Sequence, residues 1–283
     1  MGSAHRRPRV VWAAVAAGAL LAVAAGAGVL AQGAEQGPAV ARGAVQPAAL
    51  GWSDAGSTGT VFNAASGRQE LEYPEPRRLA VLIGDSQSDG AAGVPGEATW
   101  PRLALTAAGY DVVFRGRGGT GFTAARPPYL DYADALRAQQ WLLPHGDVGL
   151  VVLQGGGNDA RAGASDAEVH AGVTGLVEEV RRSYPTSTIL VVGTLARSLE
   201  DGGGRRHAVD AAVGTAARDA GLAFISAGDW ITTEDLGGHL LDRAHLDEAG
   251  HRIAAERFLE ELRLRGLMRS ERLLAGGAEA PAS

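Results

Sequence analysis

The sequence contains no cysteine, and all 26 of its basic residues are arginine, so lysine is absent as well. Without cysteine there are no disulfides to support an exported domain, which must then be stable from its core alone, and no thiolates for a metal site. The histidines at 5, 145, 170, 207 and 239 show no paired metal-ligand spacing, so no metal is expected. The missing lysine, beside 41 glycines and abundant alanine, fits GC-rich codons and a high-GC bacterium, and carries no mechanistic meaning. Net charge is −6 and no basic patch lies beyond the N-terminus, which argues against a nucleic-acid partner.

What is present begins at the N-terminus. Arg6, Arg7 and Arg9 precede Val10 to Ala31, a run of 22 residues without a charge. That is longer than the ~7–15 residues of a signal-peptide core and close to the ~20 that span a bilayer. It is either an uncleaved anchor, which its length favours, or a long signal peptide cut near Ala27 or Ala41. Either way the positive flank keeps the N-terminus inside and sends the rest outward. Residues 32–77, rich in Ala, Gly, Gln and Ser with little periodicity, read as a flexible linker. Residues 78–268 read as the main folded domain, long enough to build a core, and 269–283 as a disordered tail.

Within that domain, apolar runs alternate with helical patterns. Strands are expected at Ala80–Ile83, Val112–Phe114, Gly149–Leu153, Thr188–Val192 and Leu222–Ile225. Ser165 and Glu168 form a capping box ahead of a helical stripe, and Asp247 reads as the N-cap of a final helix carrying Ile253, Phe258 and Leu262. The alternation predicts an α/β fold in three layers, α/β/α, around a central, mainly parallel five-stranded sheet.

Gly84-Asp85-Ser86-Gln87-Ser88 follows the first strand directly and puts a hydroxyl at the carboxyl edge of the sheet. Alone it would be an ordinary turn or helix cap. Three later blocks change its meaning: Gly118-Gly119-Thr120, Gly156-Gly157-Asn158-Asp159 and Asp242-Arg243-Ala244-His245. Together they supply every part of an acyl-transfer site. Ser86 is the candidate nucleophile and His245 the base. Asp242, three residues earlier, orients the imidazole. The oxyanion donors are the backbone N–H of Ser86, the backbone N–H of Gly119 and the side-chain amide of Asn158. Ser88 is a rival nucleophile and His251 a rival base. Asp159 reads as structural, holding the loop beside Asn158.

These blocks resemble the SGNH/GDSL hydrolase family over about Arg78 to Leu267. Ser86 matches its GDS block, Gly119 its glycine block, Asn158 its GxND block, and Asp242 with His245 its DxxH block. One departure is Leu246, where the family often has proline, which puts the rigidity of the histidine loop in question. The resemblance implies a flavodoxin-like fold and a serine esterase working through an acyl-enzyme without cofactor. Gly116 to Gly121 also satisfies GxGxxG, but Pro127-Pro128 follow where a dinucleotide site would need a helix. The expected partner is a small-molecule or polysaccharide ester, first of all a short acyl group on a cell-envelope carbohydrate. Lipid or thioester acyl chains, and a non-catalytic envelope-binding protein keeping the fold, are the alternatives. No long hydrophobic lid is visible in the sequence, and Phe122 to Leu130 is a candidate cover for the site. The sequence leaves oligomeric state open.

Overall fold

The computed structural model describes residues 54–269. The expected anchor or signal segment (1–31), the first part of the expected linker and the tail from 270 lie outside the described residues. In chain order the elements are a hairpin of β1 (Gly59–Asn63) and β2 (Arg68–Glu72), β3 (Leu79–Gly84), α1 (Ser86–Asp89), a short ladder of β4 (Gly90–Ala91) and β5 (Val94–Pro95), α2 (Trp100–Ala107), β6 (Asp111–Gly116), α3 (Tyr132–Arg137), β7 (Leu150–Gln154), α4 (Gly157–Ala162), α5 (Asp166–Ser183), β8 (Ile189–Val192), α6 (Gly204–Asp219), β9 (Ala223–Ile225), α7 (Trp230–Thr233) and α8 (Glu248–Leu264).

Five of the strands form one sheet in the order β6-β3-β7-β8-β9, and every pairing in it is parallel. Both faces of such a sheet are covered, which is why β3 and β7 are buried at every residue and read as continuous apolar runs. Val81, Ile83, Val151 and Leu153 face α5 and α6, whose Val169, Val173, Leu176, Val209 and Val213 complete one core. Leu82, Leu150, Val152 and Leu190 face the other way, against α2 and α8. There Trp100 sits edge-on to Phe258 at 5.2 Å and to Trp230 at 5.6 Å. The strand order reverses between β3 and β7, so a crevice opens at their carboxyl ends. Ser86 and Asn158 follow those two strands.

The expected linker is corrected over its described part. From Asp54 the chain is docked on the domain through the β1–β2 hairpin. Leu71 is buried and exchanges backbone hydrogen bonds with Leu143 and His145, at 2.8 and 2.7 Å. Arg68 reaches the Glu179 carboxylate at 2.6 Å, and the Asp54 carboxylate meets Arg115 at 3.0 Å. The inward positions of β2 are Arg68 and Glu70 as well as Leu71, so charged residues occupy buried sites and the strand shows no apolar period. At the other end Arg269 still belongs to the domain, its N–H donating to Ala108 and its guanidinium to Arg77.

Candidate active site

The turn after β3 is tight. A Cβ on Gly84 would lie 2.6 Å from Ser88 Oγ, so the strand must end in glycine. Asp85 then caps α1, its carboxylate accepting from Gln87 N–H at 2.9 Å. Ser86 takes the first helical position, where its own N–H has no acceptor within the helix. The hydroxyl and this N–H are thus presented together at the sheet edge.

His245 Nε2 lies 2.9 Å from Ser86 Oγ, and His245 Nδ1 lies 2.7 Å from Asp242 Oδ2. The other carboxylate oxygen of Asp242 accepts the backbone N–H groups of Ala244 and His245, at 2.7 and 2.8 Å. One aspartate therefore shapes the turn and orients the ring. Leu246, the departure from the family pattern, does not loosen this loop. It is fully buried and bridges Leu240, while Leu241 N–H donates to His245 and Asp247 N–H to His239. Two flanking backbone bonds and a buried leucine supply the rigidity a proline would give.

Gly119 has φ +92°, a conformation that only glycine adopts without strain. Its N–H has no acceptor among the described residues. The neighbouring Gly118 N–H donates to Asp89 at 3.0 Å, which fixes the strand of backbone that carries Gly119. Asn158 opens α4, and its Nδ2 donates to Thr120 O at 2.8 Å, with Asp85 Oδ2 more remote at 3.5 Å. Asp159 is structural as expected: its carboxylate accepts from the N–H groups of Phe122, Thr123 and Ala124 and from the Thr123 hydroxyl. It ties the glycine loop to the Asn158 helix.

Both rivals fall to their hydrogen bonds. Ser88 is fully buried and its Oγ donates to Gln154 at 2.9 Å, away from the cleft. His251 is buried, its Nδ1 accepting from Trp100 N–H at 3.1 Å, and burial pushes its pKa down to about 4, so it is a neutral packing residue. The GxGxxG stretch runs into a loop, and the next helix is α3 at Tyr132. Phe122 to Leu130 does not cover the cleft: Arg126 alone of this segment lines it, and Phe122 is buried against Tyr132, ring centroids 5.5 Å apart.

Several functional neighbours carry no sequence signal. Gln87 donates through Nε2 to Ala244 O at 2.7 Å and accepts from Trp100 Nε1 at 3.3 Å, bracing the nucleophile helix against the histidine loop across 157 residues of chain. Asp89 holds Gly118 and faces Arg117 at 3.6 Å. Arg206, on α6, reaches Thr194 and Leu195 and lies close against Gly157. Only proximity in the fold identifies these residues: Gln87 meets Ala244, and Asp89 meets Gly118, across strands of the sheet.

Electrostatics divide two carboxylates of the cleft, Asp242 and Asp85. The hydrogen bond from His245 pulls Asp242 down to about 2, so it is ionised throughout the neutral range and favours imidazolium beside it. Burial pushes Asp85 up to about 6, opposed by the Gln87 N–H and the Arg206 charge. Around Ser86 lies an open cleft of about 710 Å³ lined by glycines, polar and charged residues and two alanines, Ala91 and Ala244, with no leucine, isoleucine, valine, methionine, phenylalanine, tyrosine or tryptophan. An imidazole held between a hydroxyl and an ionised carboxylate, with unpartnered N–H groups alongside, can take a proton from the hydroxyl while charge builds on a bound carbonyl.

A model of the GDSL-like lipase/acylhydrolase family matches residues 82–253, more than half of the chain and every residue of this site. The chain belongs to that family. This GDSL-like protein is thus an SGNH-type hydrolase, and solved structures share its fold. One is an active-site mutant of a family two carbohydrate esterase from Clostridium thermocellum, with 17% identity and a TM-score of 0.56 over 72% of this chain and 69% of that one. A family two carbohydrate esterase from Cellvibrio japonicus matches at 21% identity and 0.52, over 71% and 65%. A salicylyl-acyltransferase from a tetracycline biosynthetic pathway matches at 19% and 0.50, over 72% and 60%. No curated protein matches the sequence.

Proposed function

We propose that this GDSL-like hydrolase is an exported serine esterase that removes short acyl groups, acetyl foremost, from a cell-envelope carbohydrate. The observation that carries the reading is the Ser86–His245–Asp242 line, at 2.9 and 2.7 Å, opening onto a cleft lined by no apolar side chain larger than alanine. Ser86 Oγ attacks the ester carbonyl while His245 Nε2 takes its proton. Asp242 holds the ring in the tautomer with Nδ1 protonated and stabilises the imidazolium. The oxyanion receives the N–H groups of Ser86 and Gly119 and the Asn158 amide. His245 returns the proton to the departing alkoxide, leaving an acyl-Ser86 that water, activated by the same imidazole, hydrolyses.

The lack of large apolar side chains in the cleft is what limits the acyl group. Burying a methylene is worth about 0.8 kcal/mol, and walls of glycine, alanine and charged residues offer a long chain little of that burial. A sugar, rich in hydroxyls, suits such walls, and the carbohydrate esterases among the structural relatives support this choice. Export rests on the basic and apolar N-terminal sequence.

The test is a rate series on 4-nitrophenyl esters from acetyl to dodecanoyl, alongside acetate release from acetylated glycans. The expected maximum is at acetyl to butyryl, with acetate released from glycan. A maximum at octanoyl or longer would overturn the short-acyl reading. For export, native protein should fractionate with membranes or appear in the medium, and recovery in the cytoplasmic fraction would contradict it.

A further inference from the structure

Four arginines line the cleft, Arg126, Arg161, Arg206 and Arg243, and none makes an ion pair among the described residues. Elsewhere on the surface arginines are typically spent on carboxylates, as in Arg252–Glu248, Arg263–Glu260 and Arg257–Glu261. In a chain of net charge −6, four arginines without an ion-pair partner gather around the mouth where substrate must enter.

The cleft's own carboxylates offset part of this charge, but none forms an ion pair with the four arginines, because each is held by internal hydrogen bonds. Asp85 caps α1 from a buried position, Asp89 holds Gly118 N–H and faces Arg117, and Asp242 holds His245. The arginines, by contrast, keep donors free. Arg161 follows Asn158 by one helical turn on α4, is exposed, and makes no hydrogen bond among the described residues. Arg243 stands exposed between Asp242 and Ala244 at the tip of the histidine loop, likewise without a partner there. Arg126 uses one nitrogen on Gly118 O at 3.2 Å, and its side chain lies over Gly119, where an added Cβ would come within 2.7 Å of Arg126 Cδ. Arg206, half-buried, donates to Leu195 O and the Thr194 hydroxyl, and its charge acts on Asp85 and Asp242. The nucleophile is therefore flanked by guanidinium groups from the glycine loop, the Asn158 helix and the histidine loop. Guanidinium forks match carboxylate and phosphate oxygens bidentately.

We propose that the ester this site takes carries an anionic group, a carboxylate or a phosphate, on its alcohol portion, and that Arg161 and Arg243, with Arg126, bind it. This deepens the esterase reading and rests on it. The alcohol portion is the part that must lie across the open mouth, since the acyl group sits at Ser86 with its carbonyl oxygen towards Gly119. The anion raises capture of substrate more than the chemical step, because it is present in ground and transition states alike.

The experiment uses matched ester pairs differing only in charge. Methyl glucuronoside monoacetate is compared with methyl glucoside monoacetate, and 1-acetylglycerol 3-phosphate with 1-acetylglycerol. At low salt the anionic member of at least one pair should show about tenfold higher kcat/KM, mostly through KM, and the advantage should shrink as ionic strength rises. Whichever pair shows it identifies the anion as carboxylate or phosphate. In Arg161→Gln and Arg243→Gln the ratio of anionic to neutral kcat/KM should fall towards one, a readout that cancels any loss of folded enzyme. Equal rates within both pairs, with 4-nitrophenyl acetate still hydrolysed, would overturn the anionic substrate and leave the esterase standing. No hydrolysis of any ester by folded protein would overturn both.

Discussion

Replacing Asn158 with alanine separates a catalytic amide from a structural one. In the resting site its Nδ2 donates to Thr120 O at 2.8 Å, which aligns the amide, and Asp85 Oδ2 at 3.5 Å is too distant to engage the second N–H strongly. If that second donor meets the oxyanion, its loss costs about 3–4 kcal/mol of transition-state stabilisation, or roughly 100- to 1,000-fold in kcat, with KM nearly unchanged. The structural loss is smaller. One neutral, part-buried hydrogen bond is worth about 1 kcal/mol, so the melting temperature should fall by only about 2–4 °C. The assay is steady-state hydrolysis of 4-nitrophenyl acetate with a thermal melt on the same sample. Asn158→Asp should do worse than alanine, because it sets a carboxylate beside Asp85 and against the developing oxyanion. A folded Asn158→Ala enzyme with kcat within about threefold of wild type would refute the oxyanion role.

Three more outcomes are expected. Asp242→Asn keeps an oxygen for the Ala244 and His245 N–H groups but turns an N–H towards His245 Nδ1, forcing the wrong tautomer; kcat at pH 7 should fall about 10²- to 10⁴-fold, and a loss under threefold would refute the orienting role. Burial pushes Asp210 up to about 6 from 3.8, so its contribution to stability is complete below about pH 4 and is lost as pH rises through 6. In urea unfolding, wild type should lose up to about 3 kcal/mol relative to Asp210→Asn between pH 4 and pH 8, and a pH-independent difference would contradict this. Arg68→Ala should cost about 1–3 kcal/mol, at the low end for a buried pair because Arg137 still meets Glu179 at 2.9 Å; an unchanged unfolding midpoint would show that the Arg68–Glu179 pair contributes nothing.

The parts of the fold that follow from local pattern were legible in the sequence. The three inner strands, β3, β7 and β8, are apolar runs because both faces of the sheet are covered, the edge strands β6 and β9 each carry a shorter apolar stretch, and Ser165, Glu168 and Asp247 cap their helices with the expected hydrogen bonds. Ser86, Gly119, Asn158, Asp242 and His245 were legible because each sits in a short block following a strand or preceding a helix, and the structure gathers them around one cleft. The hairpin was not, since Arg68 and Glu70 point inward and erase the apolar alternation. Nor was the Trp100–Gln87–Ala244 brace, which joins three distant segments through one glutamine. The rigidity of the histidine loop was likewise hidden: it comes from pairing between residues 239–241 and 245–247, which Leu246 in place of proline does not reveal.

The central claim is that Ser86 is the nucleophile, activated by His245. Its most direct test is labelling of the native enzyme with a fluorophosphonate, followed by peptide mass mapping. The adduct should appear on Ser86 alone, be absent in Ser86→Ala, and form far more slowly in His245→Ala. Labelling on Ser88, or ester hydrolysis persisting in folded Ser86→Ala, would contradict the account.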